Sequence, residues 1–116
     1  MSNHGPDVLA DLRLPARELR QRIPDVYEGF SKLHGSALAP GTLDAKTKEL
    51  IALAIAVSSQ CDGCIASHAR GAHRQGATEQ EVAEAIGVTF LMSGGPATVY
   101  GPRAMAAFQA FANPEG

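Results

Sequence analysis

Two cysteines, a histidine and a glutamate hold most of the chemistry this chain could perform. Cys61-Asp62-Gly63-Cys64 sets two thiols three residues apart, His68 follows four residues after Cys64, and Glu49 stands twelve residues before Cys61. A helix starting near Cys61 places both sulfurs and the imidazole on one face. The preceding helix is expected to end near Ser58-Ser59. A chain reversal there leaves Glu49 and His68 equidistant from the bend, each roughly 14 Å along its helix at about 1.5 Å per residue. Such a hairpin brings the carboxylate level with the imidazole, and the rotation of the two helices decides whether they meet.

The chemistry this grouping suits is thiol redox chemistry, because the thiolate is the species that attacks a peroxide or a disulfide. A thiol of pKa about 8.5 is only ~3% ionised at pH 7, and lowering it to about 6.5 raises that fraction roughly 25-fold. With a Brønsted coefficient near 0.4–0.5, the lost basicity removes roughly 8-fold in nucleophilicity, so the net gain is about threefold. Proton management matters more: a base for the thiol proton and an acid for the departing oxygen are each worth roughly 10²–10⁴-fold. Glu49 and His68 are the candidates for that relay.

Glu49, Cys61-x-x-Cys64-x-x-x-His68, Gly76 and Thr78-x-x-Glu81 together resemble the alkylhydroperoxidase AhpD core of the carboxymuconolactone decarboxylase superfamily, over roughly Leu43 to Phe90. The resemblance implies an all-α fold built on a helical hairpin, assembly into homotrimers or homohexamers, and reduction of alkyl hydroperoxides by a redox-active cysteine pair. It implies that Cys64 becomes the sulfenic acid and that Cys61 donates a proton and resolves it as a disulfide. Glu49 and His68 would form the relay. A dithiol or thioredoxin-like protein would be the reductant, with no cofactor or resident metal. Better-studied members can carry a second histidine between the cysteines, where this chain has Gly63. Family decarboxylases lack the cysteine pair, so Cys61 and Cys64 argue against lactone decarboxylation. A thioredoxin-style reading adds that Cys61, the first and more exposed cysteine, exchanges with a partner disulfide.

Other readings of the same residues stand beside this one. The protein could be a disulfide oxidoreductase or redox sensor with incidental peroxidase activity, or a non-enzymatic oligomeric binding module. In the latter the cysteines would be small hydrophobes or metal ligands. A zinc site from Cys61, Cys64, His68 and Glu49 lacks the second Cys or His pair common in structural sites. A purely structural disulfide would close a loop too small to constrain the unfolded chain much. Alone, Glu49 reads as a first-turn carboxylate at a positive helix end. Asp62 reads as a helix cap, His73 as a solvated residue off the stripe, and His34 as a cation at a helix C-terminus. Tyr100-Gly101-Pro102-Arg103 either lines a pocket entrance or packs within a helix.

The elements that must position these groups read as helices throughout. Pro24, Gly35, Pro40-Gly41, Gly76, Gly94-Gly95-Pro96 and Pro114 punctuate the chain at helical intervals. Val26, Tyr27, Phe30 and Leu33 recur at threes and fours ahead of Gly35, a candidate helix stop. Asp44 can cap a helix that becomes apolar all round from Leu50 to Val57. That run is expected to be buried on most of its surface, in part by another subunit. Thr78 and Glu81 have the spacing of a capping box, ahead of Val82, Ile86, Phe90 and Leu91. Gly94-Gly95 closes that helix, and Pro96 can open one carrying Val99, Met105, Phe108 and Phe111. The expectation is five helices, or six if residues 16–22 form a short one. Residues 1–14 are expected to be a mobile arm before a single helical domain over 15–116.

Composition bounds the partners. The 116 residues carry 10 Lys+Arg against 12 Asp+Glu, and 45% are hydrophobic against 19% charged, which suits one folded domain. Near-neutral charge without a run of Lys or Arg points away from nucleic acid and anionic membranes. The longest apolar run, of eight residues, falls far short of the roughly 20 that span a bilayer. The first twenty residues lack secretory-signal features, so the expected location is the cytoplasm.

Overall fold

Helix α3, Ala45–Ser58, and helix α4, Asp62–Arg74, form the expected hairpin at the centre of the fold. A computed structural model describes residues 2–114. Among them are six helices and no strand: α1 (Pro6–Arg22), α2 (Pro24–Leu38), α3, α4, α5 (Glu79–Ser93) and α6 (Ala97–Ala112). The all-α architecture is thus as read from the sequence.

Local signals explain most boundaries. Asp44 caps α3 by accepting from the Thr47 backbone N–H at 2.7 Å. Thr78 and Glu81 form the reciprocal capping box of α5, with bonds of 3.1 and 2.9 Å. Glu81 also reaches across to Lys46 at 2.8 Å, pinning the start of α3 to the start of α5. That pairing, with the Thr78 backbone N–H, holds the Glu81 carboxyl below its ordinary pKa, while Glu81 raises that of Lys46. At the other end of the two helices Ser93 Oγ donates to Ser58 Oγ at 2.8 Å. The α3–α4 reversal passes through Gln60, which takes the left-handed φ of 55° uncommon for a residue with a side chain.

The core lies between α3, α4, α5 and α6, where Leu53, Val57, Ile65, Val82 and Phe108 are fully enclosed. Much of the remaining contact is alanine: Ala56 from α3, Ala69 and Ala72 from α4, Ala104 and Ala107 from α6. Small side chains let helix axes approach closely, which holds α4 tightly against its neighbours. Helices α1 and α2 contain no buried residue. They lie outside the four-helix core, and the radius of gyration, 14.3 Å, exceeds the ~13.4 Å typical of this length.

Two expectations need correction. The expected arm over 1–14 is, from Pro6 onward, the first half of a helix that continues to Arg22 with Pro15 inside it. No boundary falls at 14/15. Pro6 opens this helix, Asn3 Oδ1 accepts from the Asp7 N–H at 3.0 Å, and buried Gly5 packs against Ala107 and Phe111 of α6. Gly35 does not end α2, which runs on to Leu38. Within one chain the apolar run in α3 is enclosed on one side only. Leu53, Ala56 and Val57 are buried, but Ile51 and Ile55 are 45% and 61% exposed.

Candidate active site

Cys61 is the N-cap of α4, and its sulfur accepts from the Cys64 backbone N–H at 3.2 Å. This corrects the reading of Asp62 as the cap. Asp62 occupies the first helical position, and its Oδ1 accepts from the Gly63 N–H at 2.7 Å. A sulfur at this position faces unpaired N–H groups and the positive end of the helix, both favouring a thiolate. Cys61 and Cys64 are joined as a disulfide with Cα atoms 5.2 Å apart. Cys64, not Cys61, is the exposed member of the pair. The capping geometry tucks Cys61 under the helix start, whereas Cys64 lies on the open side of the first turn.

His68 lies one helical turn beyond Cys64 on the same stripe. Its Nδ1 is 2.7 Å from Glu49 Oε1, with side chains 17% and 11% exposed. The two helices are therefore rotated so that carboxylate and imidazole meet, a rotation that periodicity does not specify. With Nδ1–H donating to Glu49, the tautomer is fixed and Nε2 is free to take up and return a proton. Glu49 is otherwise buried, and its carboxylate lies so close over the Cα of Gly71 that any Cβ there would overlap it. Gly71 thus makes the space in which Glu49 reaches His68. Nothing in the sequence periodicity marks it.

His34, read from the sequence only as a cation at a helix C-terminus, also belongs to this neighbourhood. Its ring lies 5.8 Å from that of His68 and within 18° of parallel, so α2 covers one face of the imidazole. Rather than ending at His34, as the following glycine suggests, α2 continues one further turn, to Leu38. Gly63 lies under α1: a Cβ there would sit 3.2 Å from Leu12 Cδ1, close enough that the leucine tip would have to give by a few tenths of an ångström. His73 is exposed and off the stripe, as expected, and meets the edge of Phe108 at 6.0 Å. Tyr100-Gly101-Pro102-Arg103 lies inside α6, with the Arg103 guanidinium 4.9 Å from the Tyr100 ring centre.

Among the described residues, no three His, Cys, Asp or Glu side chains gather as a metal cluster. Joined as they are, the two sulfurs offer no thiolate to a metal. No described helix is long and apolar enough to cross a membrane.

The sequence model of the carboxymuconolactone decarboxylase family matches residues 24–113, most of the chain. The chain belongs to this family. Its solved relatives include the apo form of a carboxymuconolactone decarboxylase family protein from Legionella pneumophila. That structure is 39% identical, covers 90% of this chain and 94% of its own, and superposes with a TM-score of 0.87. A Thermotoga maritima member of the family, with a suggested involvement in an antioxidative response, is 29% identical over 77% of this chain and 92% of its own, with a TM-score of 0.70. Among curated sequences, an uncharacterised Cupriavidus necator protein is 38% identical over 79% of this chain and 81% of its own. Uncharacterised protein 4 of the cox locus of Paracoccus denitrificans is 36% identical over 84% of this chain and 93% of its own. This carboxymuconolactone decarboxylase family chain therefore has the AhpD-like core, and its cysteine pair and Glu49–His68 contact lie within the matched segment.

Proposed function

We infer that this protein is a thiol-dependent peroxidase that reduces organic hydroperoxides through the Cys61/Cys64 couple, with Glu49 and His68 as its proton relay. The observation that carries this reading is the 2.7 Å bond between Glu49 and His68 on the stripe that also holds both sulfurs. A carboxylate-oriented imidazole one turn from a thiol can act as its base and then as the acid for the leaving group.

Starting from the reduced protein, the Cys64 thiol gives its proton to His68 Nε2 while Glu49 holds the Nδ1–H. The Cys64 thiolate attacks the terminal peroxide oxygen. An S–O bond forms, the O–O bond breaks, and the alkoxide leaves with the proton from His68 as an alcohol. Cys64 is then a sulfenic acid. The Cys61 sulfur attacks Cys64 Sγ, an S–S bond replaces the S–O bond, and hydroxide departs with the Cys61 proton as water. Two electrons and two thiol protons are consumed per hydroperoxide. An external dithiol, in a thioredoxin-like protein, returns the couple to the reduced state by exchange through a mixed disulfide.

The exposure of Cys64 supports a second reading, disulfide exchange as the main activity, because a partner's thiolate reaches Cys64 before Cys61. In both readings the protein works in the cytoplasm as a homotrimer or homohexamer. The test is to add one equivalent of an alkyl hydroperoxide to the reduced protein and follow its mass. Loss of two hydrogens within seconds supports the peroxidase. Oxidation by a protein disulfide but not by hydroperoxide supports exchange. Cys64→Ser should abolish the reaction with peroxide, while Cys61→Ser should leave a trapped Cys64 sulfenate. If both variants consumed peroxide like the parent, the assignment would fail.

A further inference from the structure

Between α1, α2 and α4 lie two adjoining clefts of about 670 and 340 Å³, and both are lined by Arg20 and Arg70. His34, whose other side faces His68, lines the larger cleft. The smaller is bordered also by Arg13 and Arg17, which share one face of α1 with Arg20. No basic run marks these arginines in the sequence, because three are spread at helical intervals and the fourth comes from α4. None of the four is in an ion pair among the described residues, where the pairs are Lys32–Glu28, Lys46–Glu81 and His68–Glu49. The carboxylate in the lining, Glu28, faces Lys32 at 3.4 Å. Four arginines therefore gather along these clefts, without bound carboxylates, in a chain whose net charge is −2.

Apart from Ser31, the remaining lining is mostly apolar: Leu9, Leu12 and Ala16 in one cleft, Pro24, Tyr27 and Phe30 in the other. Arg20 is held over the Tyr27 ring at 5.4 Å, which fixes a guanidinium beside an aromatic wall. Volume and lining suit an organic anion better than a small inorganic one. Arginine pairs bidentately with carboxylates, and the apolar surface beside it takes a hydrocarbon body. The location also fits. Arg70 is six residues beyond Cys64 on α4, about 9 Å along the axis and roughly a third of a turn around it, and the clefts adjoin the site where Leu12 of the smaller meets Gly63 and His34 of the larger stacks on His68.

We propose that this cleft is the carboxylate subsite of the enzyme, binding the acidic end of an organic hydroperoxide through Arg20 and Arg70 while its peroxide end reaches Cys64. The proposal rests on the peroxidase reading and narrows its substrate to acidic hydroperoxides. The reaction itself is unchanged: the bound hydroperoxide gives its alcohol and water as the cysteine pair is oxidised.

The experiment compares 4-carboxycumene hydroperoxide with its methyl ester as oxidants of the reduced full-length protein, by stopped-flow. The carboxylate is expected to react about 10–100-fold faster, the range of a single charge-assisted hydrogen bond. In Arg20→Gln/Arg70→Gln the preference should collapse towards unity, whereas Arg103→Gln, outside the cleft, should retain it. A parent with no preference, or a double variant that keeps it, overturns the proposal. The second measurement needs no turnover: 4-isopropylbenzoate is titrated into the oxidised protein while the imidazole proton signals of His34 are followed by NMR. A saturable shift that is lost in the double variant is expected, and no saturable shift overturns the subsite. If neither hydroperoxide oxidises the protein, the peroxidase reading falls, and the benzoate titration then decides the cleft by itself.

Discussion

Glu49 and His68 lie nineteen residues apart in the chain, yet Oε1 of one is 2.7 Å from Nδ1 of the other, with both side chains mostly shielded from water. A hydrogen bond in such surroundings is stronger than at the surface, and removing one member leaves the other without a partner. Glu49→Gln retains the shape and an acceptor but removes the charge that stabilises an imidazolium. Its rate of oxidation by hydroperoxide should fall roughly 10²–10⁴-fold, and His68→Ala should fall comparably. Glu49→Ala should also lose about 1–3 kcal/mol of stability by denaturant titration. Unimpaired peroxide kinetics in His68→Ala would remove the relay from the mechanism.

Gly71 offers a sharper separation of activity from stability. Gly71→Ala places a methyl group where the Glu49 carboxylate sits. Neighbouring Ala69 and Ala72 are completely buried, so α4 cannot move away, and Glu49 must swing off His68. The broken bond costs about 1–3 kcal/mol, while alanine gains roughly 1 kcal/mol in helix propensity over glycine. The expected protein is folded, with stability within about 2 kcal/mol of the parent, and peroxide reactivity reduced as in Glu49→Gln. An active Gly71→Ala would show that the carboxylate need not touch the imidazole.

The Lys46–Glu81 pair gives a pH signature in stability. The Glu81 carboxyl lies below its ordinary 4.5, chiefly through Lys46 and then through the Thr78 N–H. A carboxyl lowered in the folded state binds protons less readily than in the unfolded chain. Its stabilisation is therefore complete above pH 4.5 and fades as pH falls through the lowered value. The melting temperature of Glu81→Gln should lie below the parent's at pH 7 and converge on it in acid. A gap that persists unchanged to low pH would mean that Glu81 acts through shape alone. At pH 7, Thr78→Ala should cost about 1 kcal/mol through loss of the cap.

Exposed apolar side chains forecast self-association. Val88, Leu91 and Met92 form one face of α5 and are 60%, 83% and 76% exposed, and Val26, Phe30 and Leu33 line α2 at 64%, 63% and 63%. Grouped apolar surface of this kind on a small protein marks contact sites. Sedimentation velocity of the parent should give a multiple of 12.1 kDa, matching a trimer or hexamer. Val88→Glu/Leu91→Glu should shift it towards the monomer while leaving the helical circular dichroism intact. A parent that sediments as a monomer would remove the oligomer from the proposed function.

Which residues share a helix face is legible in the amino-acid order alone. Cys64 and His68 on one stripe, the Thr78–Glu81 capping box and the Asp44 cap all depend on spacings within a turn or two, and helical periodicity encodes these directly. The register of the hairpin is legible as well: equal chain lengths either side of the Ser58-Ser59 bend place Glu49 level with His68. That the two side chains meet depends on packing, because helix rotation follows from how alanine-rich surfaces settle on α3, α5 and α6 together. The same holds for Gly71, whose absent side chain matters only once Glu49 lies across it. It holds for His34 over His68 and for Arg70 beside the α1 arginines, since those contacts join elements far apart in the chain. Cys64 is the more exposed sulfur because Cys61 turns inward to cap its helix, and with Asp62 next in line the local residues do not dictate which of the two becomes the cap. Local spacing fixes a face, and packing among several elements fixes what that face meets.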